Sequence, residues 1–266
     1  MPGVQLSTLI HRATRRPLPP PLTGVAARGP HDLGVLERAG RQHDGTTCAA
    51  AVLVMVAALG DPALKQWLIT GTLGATVPPE LEGATPGQLE LLADGSVERR
   101  SAALQRVLKR RATSAAAGFP WPGALGVPPW GLARTARFPG VAYRHRPLDD
   151  TSPEHLDAAL DRVVAAATLG TPVPLYSGGD TRRGWSTAVP RHVVLVVGET
   201  SEGLRIWEPA AGRCVATSRA ELASGHPQPA LGGWAHPAWL LLPVADPLAS
   251  QASGGHDGRT EREVAT

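Results

Sequence analysis

Cys48 closes the stretch Gln42-His-Asp-Gly-Thr-Thr-Cys48 and opens the apolar run Ala49 to Leu59, so the sequence sets a thiol where a helix begins. The first backbone N–H groups of a helix have no intrahelical acceptor and carry the positive end of its dipole, an environment that favours a thiolate nucleophile. A base for it lies downstream. In Arg191-His192-Val-Val-Leu-Val-Val-Gly198 a histidine leads a run of strand-forming residues, and the next strand pattern, Leu204-Arg-Ile-Trp-Glu208, ends in an acid. Thiol, imidazole and carboxylate are the parts of nucleophilic catalysis on an acyl group. The imidazole moves the proton, and the third group fixes its tautomer and orientation.

Each residue also has a plainer role. A cysteine on an apolar helix is usually a small buried hydrophobe, and a histidine before a valine run is usually satisfied by backbone. Taken together, the glutamine spacing, the cysteine at a helix start and the succession of His and acid strands favour the catalytic reading. His43 and Asp44 lack a third partner at ligand spacing, so no metal is expected and no cofactor is called for. Cys214 falls on a strand pattern and is expected to pack rather than react.

The elements that must position these groups follow an α+β order, helices first and antiparallel strands after. Asp44, Thr46 and Thr47 can cap a helix to about Leu59, which Gly60-Asp61-Pro62 ends, and a short helix spans about Ala63 to Leu68. A helical pattern covers Val97 to Ala116 within a stretch, about 71–140, otherwise read as a turn-rich, Pro- and Trp-rich insertion. Thr151-Ser-Pro-Glu154 has the form of a capping box that opens a helix through Leu156, Leu160, Val163 and Val164. Strands are expected near Gly170 to Tyr176, Val193 to Val197, Leu204 to Trp207 and Trp239 to Leu242. Residues 1–30, rich in Pro and Arg, and 246–266, polar, read as flexible ends around a domain at 31–245.

Composition narrows the function. The 266 residues carry a formal charge of +3 and are 42% hydrophobic, enough for a full core. Basic residues are interspersed with acidic ones, and Lys109-Arg110-Arg111 at a helix end reads as a solvated cationic terminus, so no nucleic acid is expected as partner. No apolar run reaches the roughly 20 residues of a membrane span. The first residues lack the apolar core of a secretory signal, which makes a cytoplasmic location the expectation. Two cysteines argue against a disulfide-stapled scaffold and allow at most one bridge, between Cys48 and Cys214.

From Gln42 to Pro243 the chain resembles the papain-like cysteine peptidases, and within them the bacterial branch whose members remove double-glycine leaders from exported bacteriocins. The carriers are Gln42 six residues before Cys48, His192 leading a Val-rich strand, and Trp207-Glu208-Pro209 with Gly212 shortly after. The resemblance implies a papain-like fold, in which a helical part carrying the cysteine packs on a sheet carrying His192 and the acid. It also implies Cys48 as nucleophile, His192 as base, Glu208 as the group orienting His192, and Gln42 as oxyanion donor. The chain departs from the pattern at Ala49, where many relatives have glycine, and at Glu208, where Asp or Asn is usual. The expected function is thiol-dependent hydrolysis of an amide bond in a peptide or protein substrate. The alternatives are an inactive papain-like peptide-binding module and an acyl or amide transferase of the same geometry. Trp121 and Trp130, in the proline-rich stretch from Phe119, and Trp185, with Arg182 and Arg183 before His192, are the candidates for a substrate cleft, packing within the domain being their plainer role.

Overall fold

The computed structural model describes residues 4–25, 27–28, 31–114, 126–181 and 188–246. Its centre is one antiparallel sheet of β1 (Val141–Pro147), β2 (Val173–Gly178), β3 (His192–Thr200), β4 (Gly203–Glu208), β5 (Arg213–Thr217) and β6 (His236–Ala245), in spatial order β1-β6-β2-β3-β4-β5. The valine run of β3 is continuous because both faces of the sheet are covered. With a side-chain period of two, Val193, Leu195 and Val197 join one apolar cluster, and Val194 and Val196 join the other.

The first cluster is built on α3 (Cys48–Gly60), which packs on β3 and on α6 (Val97–Ser114). Every residue of α3 except Leu59 is buried, as an apolar helix without a polar face must be. Burial of Leu53, Val54, Met55 and Val56 contributes about 1.5–3 kcal/mol for each side chain. Asp61 caps the next helix, α4 (Pro62–Thr70), by accepting from the N–H groups of Ala63 and Leu64. Helix α5 (Pro86–Ala93) follows. Arg100 of α6, itself buried, donates to the carbonyls of Leu68 and Ile69 at the end of α4 and of Ala93 at the end of α5, satisfying acceptors that helix ends leave open. Stretch 71–140 contributes to the main core through Leu104, Leu108 and Ala112 of α6 and Leu132 of α7 (Pro129–Thr135).

The second cluster lies under α8 (Pro153–Thr168), whose buried stripe is Leu156, Ala159, Leu160 and Val163. Its cap is Ser152, which accepts from the N–H of His155, and Thr151 instead donates to Asp149. The capping box expected at Thr151 does not form: Asp149 offers that hydroxyl a charged partner, and the cap passes to Ser152, whose N3 residue is His155.

The N-terminal segment corrects a second expectation. Far from being uniformly flexible, it forms α1 (Leu6–Thr14) against β1 and β6. Thr8 donates to Asp150, Arg12 pairs with Asp149 at 2.8 Å, Arg146 donates to the carbonyl of Pro17, and Leu22 enters the core. Polar contacts, not an apolar stripe, hold it, so composition alone conceals it. Of the expected tail, residues 247–266 lie outside the described residues. Among those described, no single helix is long and apolar enough to cross a membrane.

Candidate active site

Cys48 is the first residue of α3. The loop before it is held by its own side chains: Asp44 accepts from the N–H and the hydroxyl of Thr46, and Thr47 accepts from the N–H groups of His43 and Asp44. Thr47 occupies the N-cap position without capping the helix, so the expected caps serve the loop and leave the first N–H groups of α3 to other acceptors.

His192 begins β3 and Glu208 ends β4, neighbouring strands, so the sheet brings both side chains to one end. His192 Nε2 lies 2.6 Å from Glu208 Oε1, and both residues are buried. The Cys48 side chain lies near enough to the same ring to act on its titration. With Nε2 committed to Glu208, Nδ1 is left for the thiol. Burial works against the imidazolium, but the interactions with Cys48 and Glu208 outweigh it and hold the pKa of His192 up at about 9.

Glu208 is placed by its own turn. Oε1 accepts from the N–H of Ala210 at 2.8 Å, and Oε2 from Ala211 at 2.6 Å. Burial raises the carboxyl's pKa, whereas His192 and these two amides lower it, and the net shift is downward. Both oxygens of the glutamate side chain are thereby held in place. Gly212 closes the turn at φ +64°, where an added Cβ would meet the Arg38 carbonyl at 3.2 Å.

Gln42 links the two halves. Its N–H donates to the carbonyl of Pro209 in the Glu208 turn, and its side-chain Nε2 donates to the carbonyl of Asp44 at 2.9 Å. Its Oε1 is buried without a partner among the described residues. The amide retains a second N–H for a ligand.

Three residues of this neighbourhood escaped sequence reasoning. Gly232, at φ +66°, backs the imidazole so closely that an added Cβ would lie 2.3 Å from His192 Cδ2. Its turn is fixed by Ser177, which faces His192 across β2 and β3 and donates to the carbonyl of Leu231. Tyr176 is buried close enough to Cys48 for burial first, and the charge of Cys48 second, to push its phenol upward, and it donates to the Val127 carbonyl at 2.8 Å. Gln105 of α6, fully buried, accepts from the N–H of His43 and donates to the carbonyls of Gly40 and Arg41. Only Gly232-Gly233 carries a sequence signal, and that signal says turn.

Replacing Gln105 by leucine keeps its bulk but takes the side-chain donor from the carbonyls of Gly40 and Arg41, the N–H of His43 keeping Thr47 as acceptor. A loss of about 2–3 kcal/mol in urea unfolding is expected, together with a several-fold slower alkylation of Cys48. Unchanged stability would remove Gln105 from the account.

Trp121 and Trp185, with Arg182 and Arg183, lie outside the described residues. Trp130 is not gathered to the triad. It sits half-buried beside His145 of β1, with ring centroids 6.4 Å apart, three places from β3 in the sheet. Among the described residues of the proline-rich stretch, Gly126 lies by Thr46 and Val127 meets Tyr176. Cys214 packs at half burial on β5, and burial pushes its thiol up to about 12, as befits a structural cysteine. Both cysteines are free. No cluster of three metal-ligating side chains occurs among the described residues.

Compared with protein-family models, with curated proteins and with solved structures, the chain matches none.

Proposed function

We propose that this chain is a thiol hydrolase of peptide amide bonds, papain-like in arrangement and closest to the double-glycine-leader branch. The observation that carries the proposal is His192 held at 2.6 Å by Glu208 and near enough to a helix-start cysteine for that thiol to act on its titration. In this reading the Cys48 thiolate attacks the scissile carbonyl. The amide of Gln42 and the N–H of Cys48 receive the oxyanion. The His192 imidazolium then protonates the departing amine, leaving an acyl-enzyme on Cys48. Neutral His192 next takes a proton from water, whose oxygen attacks the thioester and frees the acid.

The test is incubation with a peptide mixture that includes double-glycine leader peptides, in heavy-oxygen water, read by mass spectrometry. Cleavage that disappears in Cys48→Ala and puts one heavy oxygen in the new carboxylate supports hydrolysis. Incorporation of an added labelled amine in place of water would assign transfer. Products identical with and without Cys48, and no acyl adduct, would overturn both and leave the peptide-binding module.

A further inference from the structure

At the opposite end of the strand order from β5, the edge strand β1 borders a cavity of about 310 Å³ lined by Arg16, Arg134, Arg144, Arg146, Trp130 and His145 among its residues. Charged edge strands ordinarily serve to prevent pairing with another chain. Here two of the four arginines come from elsewhere: Arg134 from α7 and Arg16 from the segment after α1. No carboxylate lines the cavity, and no ion pair among the described residues involves any of the four. The like charges act on one another: after burial, Arg16 and Arg144 lower the pKa of Arg146, and Arg16 and Arg146 lower that of His145. His145 is fixed as a neutral donor, because Nδ1 accepts from the indole N–H of Trp239 at 3.2 Å and so Nε2 carries the proton. Arg146 is anchored by bonds to the carbonyls of Pro17 and His145. The half-buried ring of Trp130 stands beside this cationic wall.

We propose that this cavity binds a nucleoside di- or triphosphate, its phosphates between the four guanidiniums and its base against Trp130. Planar guanidinium forks match phosphate oxygens in pairs, and a polyphosphate carries charge to complement four arginines that have no ion pair among the described residues. An indole accepts any base face by stacking. The site lies apart from the Cys48 triad and does not depend on its activity.

Calorimetric titration of the intact chain at low salt, with adenosine triphosphate, inorganic triphosphate and adenosine compared, tests the proposal. The nucleotide is expected to saturate and to bind at least ~5-fold more tightly than inorganic triphosphate, with adenosine weakest. Arg134→Gln with Arg144→Gln, both exposed positions, should weaken both polyphosphates by ~10-fold or more, while Trp130→Leu should erase only the advantage of the base. Inorganic triphosphate binding as tightly as the nucleotide to the parent chain would overturn the base subsite. Absence of saturable binding would overturn the site. Affinity for single-stranded oligonucleotides that climbs with length beyond that for the nucleotide would overturn it in favour of an extended nucleic-acid surface.

Discussion

Gly232→Ala is expected to cut thiol-dependent turnover by at least ~100-fold while costing about 1–2 kcal/mol of stability from backbone strain. The added methyl would lie 2.3 Å from Cδ2 and 2.7 Å from Nε2 of His192, distances that real side chains do not tolerate. Nε2 is the atom bonded to Glu208, so relief of the clash must turn the ring away from its orienting acid. Gly233 offers the control. It shares a positive φ of +82°, but a Cβ there meets nothing within 4 Å. Gly233→Ala should therefore pay the strain and keep the activity. Equal rates for the parent and Gly232→Ala would mean that the ring position described here is not the working one.

Glu208→Gln is expected to reduce turnover by about 10²–10⁴-fold, the range associated with an orienting acid in a triad. The amide cannot accept with both ends, yet Ala210, Ala211 and His192 all present donors to the carboxylate. The variant should also lower the His192 pKa from about 9, since both the hydrogen bond and the charge of Glu208 raise it. The sign for stability follows. A histidine whose pKa is raised on folding stabilises the fold fully below its unfolded value near 6.5, and that contribution is lost as pH rises through about 9. Stability of the parent is expected to fall by up to about 3 kcal/mol across that window, and the fall should shrink in Glu208→Gln. Urea unfolding at several pH values reads it. Glu208→Asp should act as a partial mutant, because the shorter side chain withdraws from the ring while keeping its charge.

The elements carrying the chemistry were legible because their signals are local. An apolar run after a polar loop announces α3, and burial of both faces explains why the valine run of β3 reads as a strand without any polar alternation. The meeting of Cys48, His192 and Glu208 was legible only through their order along the chain, which no short-range pattern encodes. β1, Val141–Pro147, was missed because Arg144, His145 and Arg146 obscure its period, as edge exposure allows. α1 was missed because hydroxyl, guanidinium and backbone contacts hold it. Gln105 and Tyr176 act through tertiary contacts from α6 and β2, and nothing in their own neighbourhoods of sequence distinguishes them from ordinary helix and strand residues. Trp130 illustrates the reverse error: an aromatic among prolines suggested a cleft wall, and the fold carried it to β1.

The most direct test of the central claim is the rate of Cys48 alkylation by iodoacetamide as a function of pH, with Cys214 replaced by Ser, in the parent and in His192→Ala. An imidazolium–thiolate pair gives rapid alkylation below pH 7 that is lost without His192, and a second change near pH 9 as the imidazolium titrates. Ordinary thiol reactivity, the same in both proteins, would contradict the pair and with it the assignment of Cys48 as a nucleophile.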